Sequence, residues 1–412
     1  MQILYTHCCG LDVHKKTVVA CLLITDCAGR TRKEIRTFST MTQDLLALGD
    51  WLRAAGCTHV VIESTGVYWK PVYNLLEGQC KILVANAQHL KVVPGRKTDV
   101  RDAEWLAELL RHGLVRASFV PPTAQRELRD LTRHRTTLVA ERARIVNRLQ
   151  KVLEDANLKL AAVATDVMGI SARAILEALL AGESDPHALA ALARGKLRAK
   201  REQLEQALTG RLRPHHCFLL TEHLRHIDYL DEAIAHFTEE IAKRLHAEEE
   251  AIELLDTIPG MSRRNAEILL AEIGSDLTRF PSTKHLASWA GMCPGNHESA
   301  GKRKSGKTRK GSRWLRQVLI EAAHGAAHAK QTYLAALYRR LAARRGTKKA
   351  LVAVGHALLV MVYHVLMRRV PYHDLGPNYF DERDRRAVER RLVRRLKALG
   401  YRVELLTPAQ AA

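Results

Sequence analysis

The sequence predicts an α/β N-terminal domain with a mixed sheet, followed by mainly α-helical coiled-coil and C-terminal regions. Three observations predict it. Short β-branched runs alternate with helical patterns over residues 1–115. Two heptad patterns follow between residues 121 and 241. From residue 251 onward the apolar spacing is helical almost throughout. The expected divisions are 1–115, 116–250, 251–375 and a basic helical tail, 376–412. A chain of 412 residues is long enough to give several of these a core of their own.

Each element of the first region has its own signal. Gly10-Leu11-Asp12-Val13 ends a first strand, and residues 17–25 (TVVACLLIT) form a second, rich in β-branched and apolar residues. Residues 32–39 supply a third strand. Residues 43–55 are helical, with Leu45, Leu46, Leu48 and Leu52 as the apolar set. Residues 59–63 (HVVIE) and 81–85 (KILVA) read as buried strands, separated by a helix over 67–76 after the Ser64-Thr65-Gly66 turn. Tyr68 and Trp69 belong to that helix's packing. A helix over 98–112 is stopped by Gly113. Three strands and then alternating strands and helices give a mixed sheet with helical cover.

Beyond residue 120, Leu131, Leu138, Ile145 and Val152 recur every seven residues, with Leu128 and Leu149 on the neighbouring seam. A second run holds Leu220, Ile227, Ile234 and Ile241. These helices pair with each other or with a second subunit, and the pattern alone does not choose. Residues 251–275 place Ile258-Pro259-Gly260-Met261 between two apolar helical halves. That is the pattern of a helix-hairpin-helix, whose turn at Gly260 offers backbone N–H groups to phosphate. An ordinary helical hairpin fits it equally well. Helical spacing then runs from Leu315 to about Leu341 and again over 350–367. The tail, 381–400, is an Arg-rich amphipathic helix.

The net charge is +21, from 65 Lys and Arg against 44 Asp and Glu, and such a field attracts polyanions. The cations concentrate in residues 294–316, where Lys302, Arg303, Lys304, Lys307, Arg309, Lys310, Arg313 and Arg316 alternate with Gly301, Gly306 and Gly311. Charge runs are commonly only solvated faces. Here the glycines let a backbone approach phosphates, so nucleic-acid contact is the reading preferred. No apolar run of membrane-spanning length and no secretion signal is recognised, so no membrane partner and a cytoplasmic, bacterial, nucleoid-associated protein are expected. The eight cysteines make no CxxC pair and read as reduced, buried thiols. His7-Cys8-Cys9 is not a metal motif, because neighbours on a strand face opposite ways. His324 and His328 lack a carboxylate partner for zinc. Nucleotide-binding fingerprints are absent.

Four acids stand where a site can form. Asp12 ends the first strand and Glu63 a later one, while Asp99 and Asp102 share a helix face three residues apart. Carboxylates so placed suit Mg²⁺, with Mn²⁺ as the other candidate. Two such ions about 4 Å apart can hold both oxygens of an in-line phosphoryl transfer. Any one of these acids alone would more often be a cap or turn residue.

The order of these acids resembles the RuvC-like branch of the ribonuclease H fold. The strings GLDVHKK, VIESTGVYW and NAQHLKVVPGRKTDVRDAEWLAELL resemble, more closely, the insertion-sequence transposases with a DEDD acidic set, the "one-ten" family and its "eleven-eleven" subgroup. IPGMSRRNAEILLAEIG and HESAGKRKSGKTRKGSRWLRQVLIEAAH resemble that family's second domain, so the likeness spans essentially the whole chain. It implies a RuvC-like acidic domain over 1–115 and a serine-bearing domain over 251–375. It also implies a nucleophile at the serine of the SAG segment, Ser299. Strand cleavage and exchange would pass through a phosphoserine intermediate, on donor and target DNA. A structured bridge RNA would choose both DNAs by base pairing. Dimers or tetramers would share the active site between subunits. Taken by itself, Ser299 would more often be a turn residue, and Ser305 and Ser312 compete with it. Its hydroxyl needs activation, and Glu298, His297, the nearby cations or a metal are all candidates. Two other functions fit the composition: a Holliday-junction nuclease using the same acids with water, and a non-catalytic nucleic-acid-binding protein.

Overall fold

The computed structural model describes residues 2–64, 66–86, 99–295 and 297–405, with side chains at all of these except 99–101, 297–299 and 303–305. The chain divides into two compact units, Met1–Pro122 and Thr123–Ala412.

The first unit is a six-stranded mixed sheet. Its strands are β1 (His7–Val13), β2 (Thr17–Thr25), β3 (Thr31–Ser39), β4 (His59–Glu63), β5 (Lys81–Ala85) and β6 (Ala117–Ser118). Their order is β3-β2-β1-β4-β5-β6. β1 and β2 form an antiparallel hairpin, β3 continues it, and β4 and β5 run parallel to β1. β6, which the sequence pattern does not announce, pairs antiparallel with β5 over only two residues. A two-residue strand is too short for alternation to register. One face buries Leu11, Val18, Leu22, Val60 and Ile62 with the helices α1 (Thr42–Ala54) and α2 (Trp69–Leu76). The other buries Cys8, Cys21, Leu23 and Val61 against α3 (Asp99–Arg111), which brings Ala103, Leu106, Ala107 and Leu110. The sheet is thus covered on both faces, and its central strands are apolar on both, as β4 shows. α2 begins at Trp69, two residues later than the pattern indicates. Residue 65 of the preceding turn and the segment 87–98 of the NAQHLKVVPGRKTD string lie outside the described residues.

The second unit is helical apart from one small hairpin. Its long helices α4 (Thr123–Asp155) and α9 (Pro214–Arg244) pair with each other, one of the two arrangements left open above. They run antiparallel: Glu127 meets Arg244 at one end, Arg142 meets Asp231 midway, and Asp155 meets His216 at the other. The buried stripe of α4 keeps Ile145 of the expected heptad with Leu128 and Leu149 of the neighbouring seam, while Leu131, Leu138 and Val152 are only partly buried. It runs Leu128, Thr132, Arg135, Ile145, Leu149 and Leu153, through the neighbouring seam. The reason is that α4 serves two cores. Its start joins the C-terminal helices, and its end joins the short helices α5 to α8 between Leu160 and Leu208.

The C-terminal core is built by α10 (Glu249–Asp256), α11 (Arg263–Ile273), α12 (Thr283–Trp289), α13 (Arg313–His328), α14 (Tyr333–Arg345) and α15 (Thr347–Arg368). The single helix expected from Leu315 to Leu341 is broken, with Gln331 at φ +57° between α13 and α14. α15 corrects another expectation. It is long and apolar enough to cross a membrane by length and composition. Its apolar run does not stand out in the sequence because polar residues flank it closely. In the fold it buries Leu351, Val354, Leu358 and Val362 among the other helices. The tail helix expected over 381–400 is likewise split, into α16 (Tyr379–Arg383) and α17 (Arg385–Ala398).

Candidate active site and nucleic-acid interface

Register sets two of the four acids side by side. β1 pairs parallel with β4, Leu11 opposite Ile62, so Asp12 and Glu63 follow one another at the same end of adjacent strands. Gly10 brings in the third. A Cβ at Gly10 would stand 2.2 Å from the carbonyl oxygen of Ala103 and 2.5 Å from the nitrogen of Ala107. Only glycine lets α3 lie this close on β1. Asp102, next to Ala103, is thereby carried to Asp12, two residues beyond Gly10 on the same strand face.

Electrostatics reports the convergence. The Asp12 carboxyl is pushed above its ordinary range, first by burial and further by the negative charges of Asp102 and Glu63. His14 opposes this shift; its Nε2 lies 3.1 Å from the Asp12 carboxylate. His14 is a residue the sequence pattern left unmarked, because it stands just past the end of β1, where the chain turns toward β2. Two carboxylates, Glu63 and Asp102, gathered around the partly buried Asp12 give three oxygen donors of like charge that fit a divalent cation, which would relieve their repulsion. Asp99 begins α3, and its side chain lies outside the described set.

A different group of donors, Asp155, His215 and His216, lies close enough together to hold a metal. The hydrogen bonds assign it another task. The Nδ1 of buried His216 accepts the Arg213 N–H at 3.3 Å, so the ring carries its proton on Nε2 and donates it to Asp155 at 2.8 Å. His216 thus caps α9, and its bond to Asp155 ties the start of α9 to the end of α4.

Ser299 sits in a β-hairpin rather than a loop. β7 (His297–Ser299) pairs antiparallel with β8 (Lys302–Ser305), Ser299 opposite Lys302. The two turn residues, Ala300 and Gly301, have φ of +50° and +72°. Positive φ at both matches the tight turn that suits strand twist. Ala300 holds a conformation that costs an L-residue about 1–2 kcal/mol. The side chains of Ser299, Arg303, Lys304 and Ser305 lie outside the described set. Ser312 is committed elsewhere: its hydroxyl donates to Glu272 at 3.0 Å and accepts the Leu315 N–H as the cap of α13.

The basic stretch is exposed at Lys302, Arg309, Lys310 and Arg313, while Arg316 reaches back to Thr308. Its glycines have structural tasks. Gly301 makes the turn, and a Cβ on Gly311 would stand 2.2 Å from the Ala290 carbonyl oxygen. Gly260, in the turn between α10 and α11, has φ +84°, and a Cβ there would fall 2.3 Å from backbone atoms of Ala322 and Ala326. The turn is docked on α13, and Ser262 already caps α11. His324 and His328 are exposed, with the His328 ring against the His324 carbonyl.

Residues 9–158 match a family described as a DEDD transposase of the IS110 type, and residues 252–339 match one described as Transposase IS116/IS110/IS902 family. Among curated relatives, a pilin gene-inverting protein of Moraxella bovis is 23% identical over 88% of this chain and 96% of its own length. A probable family 20 transposase of Pseudomonas aeruginosa is 24% identical, covering 79% of this chain and 80% of its own. A transposase for insertion sequence element IS1328 of Yersinia enterocolitica is 27% identical over 56% and 59%.

Proposed function

Because the chain belongs to the IS110/IS116/IS902 family of transposases and is a DNA transposase/recombinase, we propose that it exchanges DNA strands by attack of the Ser299 hydroxyl on a phosphodiester. The Ser299 oxygen forms a bond to phosphorus as an ester bond of the strand breaks. The displaced DNA oxygen leaves as a hydroxyl, and the serine proton passes to a base. The observation that supports this reading most is the convergence of Glu63 and Asp102 on the partly buried carboxylate of Asp12. Asp12, Glu63, Asp99 and Asp102 would hold Mg²⁺, or Mn²⁺. Such a cation supplies stabilisation of the charge that builds on the phosphoryl oxygens. His14 orients Asp12 through its 3.1 Å contact and opposes the upward push on that carboxyl. The strand order β3-β2-β1-β4-β5 supports a ribonuclease H-type, RuvC-like sheet for the acidic unit.

Lys302, Arg303, Lys304, Lys307, Arg309, Lys310 and Arg313 would bind DNA or RNA phosphates beside the nucleophile, and the Gly260 turn would add backbone contacts. A bridge RNA would choose donor and target by pairing, which suits a protein whose own contacts are to the backbone. Dimers or tetramers would complete the site, with acids from one subunit and serine from another. The protein would work in the bacterial cytoplasm at the nucleoid.

Recombination between donor and target plasmids, with the flanking non-coding RNA supplied, tests this reading. Ser299→Ala and Asp12→Ala are expected to abolish exchange, and Ser305→Ala to retain much of it. Good exchange by Ser299→Ala would overturn the serine assignment and favour water as nucleophile on the same acids.

A further inference from the structure

The tail beyond residue 339 lies outside both family matches, yet it is held in place. Phe380 stacks on Tyr333 at 5.2 Å, Tyr379 meets the same ring edge-on, and the Arg340 guanidinium covers Phe380. α16 is therefore anchored on α14 by aromatic contacts. α17 follows directly and buries none of its residues.

α17 has two faces. Arg386, Arg390, Arg394 and Lys397 fall at spacings of four, four and three, which aligns them along one side of a helix. All four are exposed. The helix's one acid, Glu389, pairs with Arg385, and among the described residues no carboxylate pairs with the four cations of the stripe. Like charges four apart destabilise a helix by a few tenths of a kcal/mol per pair. A polyanion laid along the stripe removes that repulsion. The stripe spans about 16 Å, long enough to meet phosphates of a duplex at several points along its backbone. Val388, Leu392, Leu396 and Leu399 lie on another side and take no part.

We propose that α17 is an anchored arm that binds the phosphate backbone of double-stranded DNA through Arg386, Arg390, Arg394 and Lys397. The arm is separate from the basic hairpin at 302–313 and does not depend on serine chemistry. It adds sequence-independent affinity for a DNA substrate, as phosphate contacts do.

The test uses the full-length chain. Binding to a 30-base-pair duplex is measured by fluorescence anisotropy across a range of salt concentrations. Wild type is compared with the quadruple variant Arg386→Gln, Arg390→Gln, Arg394→Gln, Lys397→Gln. Glutamine forms helix about as well as Arg and Lys, so α17 persists, and circular dichroism checks it. The expected result is a slope of log affinity against log salt shallower by about 3–4, with at least tenfold weaker binding at low salt. An unchanged slope and affinity would overturn the proposal. Three further outcomes would also overturn it, each with duplex binding intact: loss confined to a structured RNA probe, loss confined to vesicles of anionic phospholipid, or a change only in oligomeric state.

Discussion

Gly10 and Asp12 show how much of the active unit depends on single positions. Gly10 has no side chain because the backbone of α3 occupies the space where a Cβ would be. Gly10→Ala must push α3 off β1, at a cost of about 1–3 kcal/mol by overpacking. It would also carry Asp102 away from Asp12. Thermal unfolding should show the loss of stability, and the recombination assay a larger loss of exchange than stability explains. The cysteines make a second residue-scale case. Burial pushes the thiols of Cys8, Cys21 and Cys57 up to about 12, and that of Cys9 well above its ordinary value. Thiols with raised values stay protonated until pH approaches them, and the thiolate is the reactive form. At pH 8 an alkylating reagent should therefore modify exposed Cys27 and spare these four in the folded protein. Mass spectrometry of the labelled peptides checks this, and rapid labelling of Cys8 or Cys9 would contradict it. The placement of Asp12, Glu63 and Asp102 at element ends was legible in the sequence because carboxylates there break an otherwise apolar pattern. Gly10 and His14 were not, because their roles come from a helix crossing and a turn that exist only once the sheet has formed.

At the scale of elements, a buried clasp fixes where the basic hairpin enters α13. Arg133 of α4 grips Glu272 of α11 at 2.7 and 3.0 Å, and Ser312 at the start of α13 donates to the same carboxylate. Arg129 adds a bond to the Ala271 carbonyl at 3.0 Å. Glu272 is 1% exposed, so removing it strands a guanidinium without its charge partner. Glu272→Ala should lower the stability of the helical unit by about 1–3 kcal/mol, read from denaturant unfolding, because Arg133 and Ser312 lose their common acceptor while Arg133 keeps access to water. Arg133→Leu combined with Glu272→Leu should recover part of that loss, because the uncompensated charge is gone. No greater stability in the double variant would contradict a buried clasp. Strand and helix identities in the first unit were largely legible, since β-branched runs and helical spacing agree locally there. The α4 seam was not. A long helix that faces one core at its start and another at its end carries no single period, and Arg135 and Thr132 occupy buried positions that a hydrophobic count skips. The hairpin at Ser299 was hidden for a related reason: its strands are polar, and its turn places an alanine where glycine or asparagine would signal it.

For the whole molecule, the excess of 65 basic over 44 acidic residues predicts the kind of partner better than it predicts the fold. Affinity for duplex DNA should fall steeply with salt. Neutralising Lys302, Lys307, Arg309 and Lys310 together should make that slope shallower by about 0.9 for each DNA phosphate left without its cation. Binding isotherms at several salt concentrations measure it, and an unchanged slope would place the DNA elsewhere. The overall organisation, a mixed sheet followed by helices, was legible because alternation and heptad spacing are long-range signals. The packing of the apolar helix Thr347–Arg368 inside a core was not, since it is decided by contacts distant in sequence.

Covalent joining of Ser299 to DNA is the step that separates the proposed function from hydrolysis by water. The direct measurement supplies the protein, with Mg²⁺ and the flanking non-coding RNA, with a donor substrate nicked so that a cleaved strand cannot rejoin. The protein is then denatured and digested, and any nucleotide-bearing peptide is sequenced by mass spectrometry. The account predicts an adduct on the peptide carrying Ser299, absent in Ser299→Ala and in Asp12→Ala. Cleaved DNA with no adduct, or an adduct on another residue, would contradict it.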